Sequence, residues 1–382
     1  MSRRYDWLIV GAGFTGAVVA ERLARGLDQT VLIIDRRDHV GGNAHDRRDE
    51  GGRLIHPYGP HVFHTNSARI FDYLSRFTAW RPYFHRVLGH VDGRLVPVPF
   101  NLDSMRLLFP ERMADRLSDT LVQRFGFGAR PSIHDLRQVA DDADLKFLAD
   151  YVFDKLFANY TAKQWGVAAD ALDASVLARV PVAISRDDRY FVDRYQAMPR
   201  DGYGALFDRL LDHPNIHVSL NTDMDQVEAQ TWDRMVYCGA LDDYFERSAG
   251  VLPYRSVRFE HQVVDVEEGL PVGTVNYPNE FDFTRITDFR HLTGERGATT
   301  ATVTEYPVAH EMGVNAPYYP VLSETSRGLA AQYRAMATTL AGKVWFAGRL
   351  ADFQYYNMDQ AVGRALSLVE KSLAPAVARM AA

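Results

Sequence analysis

The stretch YDWLIVGAGFTG, residues 5–16, decides the fold. Its first six residues form a short apolar run of the kind that makes a buried strand. Gly11-Ala12-Gly13-Phe14-Thr15-Gly16 follows, then the helix-like AVVAERLARGL, then a second strand, TVLIID, ending at Asp35. Strand, glycine-rich turn, helix and strand make a βαβ unit, and in that context G-x-G-x-x-G is a dinucleotide fingerprint. Gly11 permits the tight turn, Gly13 lets the backbone approach a pyrophosphate, and Gly16 lets helix and strand pack closely. The helix opening at Phe14 and Thr15 supplies N–H groups and partial positive charge for phosphates. Asp35 is placed to accept hydrogen bonds from ribose hydroxyls.

The residues after Asp35 separate the dinucleotides. Arg36-Arg37-Asp38-His39-Val40-Gly41-Gly42-Asn43 resembles the second signature of FAD enzymes of the glutathione reductase and amine oxidase class. Phe346-Ala347-Gly348-Arg349 resembles their last signature, in which the segment after a buried strand holds the ribityl chain. Many relatives carry an acid after that glycine; this chain carries Arg349. Together these signatures favour FAD over NAD.

Between these ends the pattern changes. Met113, Leu117, Leu121 and Phe125 predict one helix, with Pro110 near its start. Leu145, Leu148, Ala149, Val152, Phe153, Leu156 and Phe157 predict another. RSVRFEHQVVDV, VGTVNYP, FTRITDF and ATTATVTEYPV read as strands, and Met358, Ala361, Val362, Ala365, Leu366 and Val369 as a last helix. Asn357 is a candidate cap for that helix, with Gln360 three residues on. The expected fold class is α/β with α+β inserts: a Rossmann-like FAD-binding αβα domain with an inserted helical bundle and an antiparallel sheet. The division expected is 1–80, 200–248 and 318–382 for the FAD-binding domain. The helical bundle takes 100–178, with a mobile lid near 165–180. The sheet takes 81–99, 180–199 and 249–317.

Composition narrows the partners. The net charge of −6 argues against a nucleic-acid binder, which advertises a basic face. One cysteine, Cys238, excludes an intrachain disulfide and fits a reducing compartment. No run approaches the apolar length a membrane helix needs. MSRR before LIVGAGFTGAVVA mimics a signal peptide, but Asp6 interrupts it and the glycines obey the fingerprint instead, so cytoplasm is expected.

Five further motifs occur in order: Pro57–Thr65 (PYGPHVFHT), Tyr160–Gly166 (YTAKQWG), Phe283–Thr287 (FTRIT), Pro317–Pro320 (PYYP), and Gly348-Arg349-Leu350 followed by Tyr355–Asp359 (YYNMD). Together they resemble the prokaryotic UDP-galactopyranose mutases over essentially the whole chain. The resemblance implies an isomerase interconverting UDP-galactopyranose and UDP-galactofuranose without net redox change. It implies FAD in its reduced form, attack of flavin N5 on the anomeric carbon, an external reductant such as NAD(P)H, and a homodimer or higher homo-oligomer.

The same resemblance assigns roles. Arg179 and Arg285 would hold the diphosphate, a task suited to the planar guanidinium fork. Tyr160 and Trp165 would line the uridine site past the helix end, with Gly166 helping a lid to move. Tyr190, Tyr318 and Tyr355 would give single hydroxyl contacts to phosphate; Asn276 and Glu305 are weaker substrate candidates. His61 would sit beside the isoalloxazine and the segment at Met358 would approach it, while His64 is as readily structural. The spacing of Asn357 and Gln360, apart from the resemblance, suggests that this helix directs its positive end at the flavin. No metal is expected, since no further ligands stand near the two histidines at useful spacing. Lys163 reads as a solvated charge. Asn357, a further substrate-binding candidate near the diphosphate, stands where many members carry Asp, and His85 where many carry Asn. The rival readings are an amine-oxidase-like flavin oxidoreductase and a flavin-free escort protein of the same architecture. The first would not need two arginines and a stacking Trp, and the intact glycine signatures argue against the second.

Overall fold

A computed structural model describes residues 4–139, 141–168 and 180–381. The chain forms two compact units, one of Met1–Pro82, Asp193–Tyr254 and Met312–Ala382, the other of Tyr83–Val192 and Arg255–Glu311.

The first unit is built on a parallel sheet. Its strands lie in the order Ile216–Ser219, Val31–Ile34, Tyr5–Val10, Trp232–Tyr237, Val344–Phe346. Trp7, Leu8 and Ile9 are fully buried, so successive side chains on both faces of the central strand are covered, as in a sheet flanked by helices on both sides. The register pairs Val10 with Ile34 and with Tyr237, which sets the strands' carboxyl ends level. Crevices outside those ends are where open α/β sheets bind ligands. Helix Phe14–Leu27 connects the first two strands, and the left-handed Asp28 ends it by donating its N–H to the Leu23 carbonyl. A three-stranded antiparallel sheet, in the order Phe63–Thr65, Tyr195–Pro199, Trp80–Pro82, and the helix Met358–Leu368 complete the positioning frame.

The second unit joins a sheet to a helical bundle. The strand order is Tyr254–Asp265, Thr299–Ala309, Arg285–Asp288, Thr274–Asn276, Val87–Val91, Arg94–Val98. The pairings are antiparallel except that Thr274–Asn276 runs parallel to Val87–Val91, so the sheet is mixed where a purely antiparallel one was expected. The cause is topological. The hairpin at Asp92–Gly93 turns Val87–Val91 back on itself, leaving that strand's other edge for a distant segment of either direction.

In the bundle, Glu111–Phe125 starts after Pro110 and buries Ala114, Leu117 and Leu121; Leu117 and Leu121 belong to the spacing read in the sequence, whose other members, Met113 and Phe125, are partly buried. The second predicted helix is interrupted. It is α-helical over Ala143–Val152, widens to a π-helix over Phe153–Ala158, and returns to α over Asn159–Trp165. Phe153 and Phe157 stay buried through the wide turn, and the segment beyond it faces a different direction than a continuous α-helix would give.

Candidate functional site

In the first unit the candidate residues are mostly backbone. Helix Phe14–Leu27 begins at Gly13 with no side-chain cap, so the amides of Phe14, Thr15 and Gly16 open it. A Cβ on Gly16 would stand 1.9 Å from the Gly11 carbonyl oxygen, a distance no side chain tolerates. Gly42 has φ +56, and a Cβ there would meet the Gly13 Cα at 3.0 Å, so the two glycine turns lie against each other. Gly348 has φ +115 and approaches Thr15 closely enough that a Cβ would meet its Oγ1 at 3.4 Å. Three separate motifs therefore converge on one helix N-terminus. The ring of Phe14 packs into the core against Phe207 at 4.7 Å, which leaves its backbone as the part that faces the turn.

The polar groups around this cradle are tied to it. Asp35 accepts from the Ala12 N–H at 2.8 Å and from the Arg37 N–H at 3.0 Å, so it braces the glycine turn; a carboxylate still has acceptor capacity beyond two bonds. Asn43 accepts from Arg37 Nη2 at 2.9 Å, and that guanidinium lies over the Tyr58 ring at 4.3 Å. Arg37 Nη1 is buried with no hydrogen-bond partner, an orphan donor that an anionic or oxygen-rich ligand would satisfy. Arg36 is largely exposed and pairs with Asp223 at 3.5 Å. Four residues beyond Gly348, Asp352 accepts the Gly348 N–H at 2.9 Å and is held by Arg364 at 3.0 Å. The residues present thus fit a dinucleotide.

Arg349 donates to the Tyr356 carbonyl at 2.8 Å and lies over the rings of Tyr319 and Tyr355 at 5.6 and 5.8 Å. The Tyr318 hydroxyl donates to the Tyr58 carbonyl at 2.6 Å. Tyr318, Tyr355 and Arg349, read separately in the sequence, share one aromatic cluster. His61 Nδ1 lies 2.9 Å from the Gly59 carbonyl, and the His61 backbone N–H donates to His56 Nδ1 at 3.1 Å. His64 pairs with Asp193 at 3.0 Å. Helix Met358–Leu368 has Asn357 as its cap residue, whose N–H donates to Gln360 Oε1 at 2.9 Å. Among the described residues no three His, Cys, Asp or Glu side chains gather as a metal would need.

In the second unit the candidates are side chains brought together by register. Asn276 faces Arg285 across one pair of strands, and Arg285 faces Glu305 across the next. Glu305 is 2% exposed, and it accepts the Arg285 Nε–H at 2.7 Å. That pair fixes the guanidinium's plane. Tyr190 is anchored through its backbone N–H to the His85 carbonyl at 2.8 Å, and the buried His85 ring meets the Tyr83 hydroxyl at 3.0 Å.

Trp165 is the last residue of its helix and is 6% exposed, so it sits within the fold where a position past the helix end was expected. Tyr160 is half-buried on the same helix. Gly166 takes the left-handed cap conformation with φ +71 and donates to the Ala162 carbonyl, so its local task is to end the helix. Lys163 is not the solvated charge its sequence context suggests. Its ammonium donates to the carbonyls of Tyr277, Phe281 and Phe283 at 2.5, 2.9 and 2.9 Å. No local signal reveals this, because all three acceptors are backbone atoms more than a hundred positions away. Arg179 and the larger part of the expected lid lie outside the described residues.

Comparisons with known proteins bear on both units. Residues 155–355, more than half of the chain, match the family model described as UDP-galactopyranose mutase, and residues 9–77 match an NAD(P)-binding Rossmann-like domain. The chain is 33% identical over 371 residues to the Klebsiella pneumoniae protein named "Probable UDP-galactopyranose mutase", covering 96% of this chain and 94% of that one. It is 30% identical over 372 residues to dTDP-fucopyranose mutase of Escherichia coli, covering 95% and 97%. The solved structure of reduced UDP-galactopyranose mutase superposes with a TM-score of 0.75 at 16% identity, covering 98% of this chain and 96% of that one.

Proposed function

The chain belongs to the UDP-galactopyranose mutase family, and from that premise we propose that it interconverts UDP-galactopyranose and UDP-galactofuranose with reduced FAD. When bound, reduced FAD supplies the nucleophile, its N5, toward the anomeric carbon. Everything else is asked of the chain's own residues.

The observation that carries the reading is the Asn276–Arg285–Glu305 row. A buried carboxylate that orients a half-exposed guanidinium makes a pre-organised anion site, which is what a departing and returning diphosphate requires. Arg285 holds that diphosphate together with Arg179. Tyr160 and Trp165 line the uracil, whose flat face gains roughly 1–3 kcal/mol from an aromatic neighbour. Tyr190, Tyr318 and Tyr355 add directional hydroxyl bonds without charge, which allows release. The glycine turns of Gly11, Gly13, Gly16 and Gly42 hold the pyrophosphate of FAD, Asp35 and Arg36 its ribose, and Gly348 and Arg349 its ribityl chain. Thr15 and Asn43 support the same turns, and His61 and Met358 attend the isoalloxazine.

An external reductant such as NAD(P)H, a homodimeric assembly and a cytoplasmic location complete the reading. The oxidoreductase alternative is weaker, because the full-length relatives are mutases.

The dTDP-fucopyranose relative gives a reason to test a second substrate. Purified protein, with and without dithionite, is incubated separately with UDP-galactopyranose and dTDP-fucopyranose and the nucleotide sugars are separated by chromatography. Conversion of the first only under reduction supports the proposal. Conversion of the second alone would move the substrate to a deoxythymidine sugar, and conversion of neither by a yellow, folded protein would sink the mutase reading.

A further inference from the structure

We propose that Lys163 is a positioning residue for the nucleotide site, tying the helix that carries Tyr160 and Trp165 to the loop that delivers Asn276 and Arg285. The inference rests on the functional reading above and extends it to a residue outside the set assigned from the sequence.

The loop runs over residues 277–284, between the strands Thr274–Asn276 and Arg285–Asp288. Asn276 stands immediately before it and Arg285 immediately after. Lys163 Nζ meets three carbonyls of this one loop, Tyr277, Phe281 and Phe283, at 2.5–2.9 Å. An ammonium has three donors, so three acceptors saturate it and fix both partners. The loop's rings close over the same region: Tyr277, Phe281 and Phe283 lie 4.9–5.3 Å from one another. Two lesser ties follow the same course, from Asn279 Nδ2 to the Lys155 carbonyl at 3.0 Å and from Asn159 Nδ2 to Asn279 Oδ1 at 3.1 Å.

A second cation holds the same end of the helix. Arg255 donates to the carbonyls of Lys163 and Gln164, both at 3.2 Å, and so places a cation on the helix C-terminus. A Cβ on Gly166 would come within 2.7 Å of the Arg255 guanidinium, so the arginine would have to shift from the helix end. The segment Asn159–Trp165 continues the helix beyond the wide π-turn, and the two cations fix its last turn, on which Trp165 stands. Lys163 and Tyr160 are three apart and share a helix face.

Protonation matters because a neutral amine has two N–H donors for three carbonyls. Burial pulls Lys163 down to about 8, against the pull of Glu280 and Asp282. Arg255 lies beyond the Lys163 carbonyl, and Glu280 also interacts with His90 and Lys155.

The test compares wild type with Lys163→Met, which keeps the stem and removes the charge, and Lys163→Arg, which keeps the charge. UDP affinity by calorimetry is measured beside KM, kcat and thermal midpoint. Lys163→Met should weaken UDP binding and raise KM by about tenfold, leave kcat within about threefold, and Lys163→Arg should restore most of the affinity. Wild-type affinity for UDP should fall above about pH 8, and that of Lys163→Arg should stay flat. Unchanged UDP binding in Lys163→Met overturns the inference. So does a loss that tracks the thermal midpoint and is equal in both variants, since that is a purely structural tie. If the wild type binds UDP yet converts no sugar nucleotide, the functional reading falls while the UDP comparison still decides Lys163. A wild type that binds no UDP overturns both.

Discussion

In the first unit the candidate residues are chiefly glycines and main-chain amides, and side chains such as Asp35 and Asp352 brace them. In the second, the sheet is regular, and the candidates are charged and aromatic side chains aligned across strands, Arg285 against Glu305 foremost. The first arrangement fails when an atom is added, the second when one is removed. Backbone that approaches a ligand closely tolerates no Cβ, whereas a guanidinium held by a buried carboxylate depends on both partners.

The largest effect should come from adding one methyl group. Gly16→Ala places a Cβ 1.9 Å from the Gly11 oxygen. Relief requires moving the turn itself, at a cost of roughly 3 kcal/mol or more, so the variant should lose its bound flavin and melt well below wild type. Gly26→Ala is the control, with nothing within 4 Å of its Cβ, and it should be neutral or stabilising by up to ~1 kcal/mol. A yellow Gly16→Ala protein with wild-type stability would break the contrast between the units.

Removal is the matching experiment in the second unit. Arg285→Met should lower kcat/KM by roughly 10–100-fold, the loss of one charge-assisted contact of about 1.5–3 kcal/mol. It should also lower stability by ~2 kcal/mol, because Glu305 at 2% exposure loses its partner; the half-exposed arginine keeps this below the cost of a fully buried pair. The double variant Arg285→Met/Glu305→Leu should recover the stability and none of the activity. Recovery of activity would show that the pair is only structural.

This difference also explains what could be read from sequence. Gly11, Gly13, Gly16, Asp35, Gly42 and Gly348 were legible because their tasks are local: a turn, a helix start or a strand end announces itself within a few residues. Asp352 was missed because only a four-residue reach through a left-handed glycine brings its carboxylate to the Gly348 amide. In the second unit, residue types were legible and partners were not. Nothing near Arg285 in the chain points to Glu305, twenty positions away, until the strand register is known. Lys163 was misread for the same reason, and the π-turn at Phe153–Ala158 was hidden because Phe153 and Phe157 keep a spacing that an ordinary helix also gives.

A smaller effect should separate the units by pH. The rings of His45 and His39 stack at 3.7 Å beside Arg47 and Asp38, and burial followed by the neighbouring His39 pushes His45 down to about 4. The folded state therefore disfavours its protonation. Between about pH 6.5 and 4 the unfolded chain binds more protons, so stability falls as pH falls through that window. Discounted for partial exposure, the loss should be ~1–2 kcal/mol, seen by urea unfolding at pH 7 and pH 5. His45→Gln should shrink the acid-dependent part. An equal acid response in wild type and variant would place the sensitivity elsewhere.

The smallest effect tests the helix Met358–Leu368 as an electrostatic element. Asn357 is its cap. Asn357→Asp should add ~0.3–1 kcal/mol of stability, since a carboxylate suits a helix N-terminus. If that end also faces the reduced flavin, as the spacing of the cap suggests, the same charge should oppose the flavin's negative charge. A few tenths of a kcal/mol corresponds to a two-electron potential about 10 mV more negative. Stability and potential should thus move in opposite senses from one substitution, which no purely structural account of the cap produces. A stabilised variant with an unmoved potential would leave Asn357 as a helix cap and nothing more. It would also confine the contrast between the units to packing, with main-chain electrostatics playing no part in how the first unit treats its flavin.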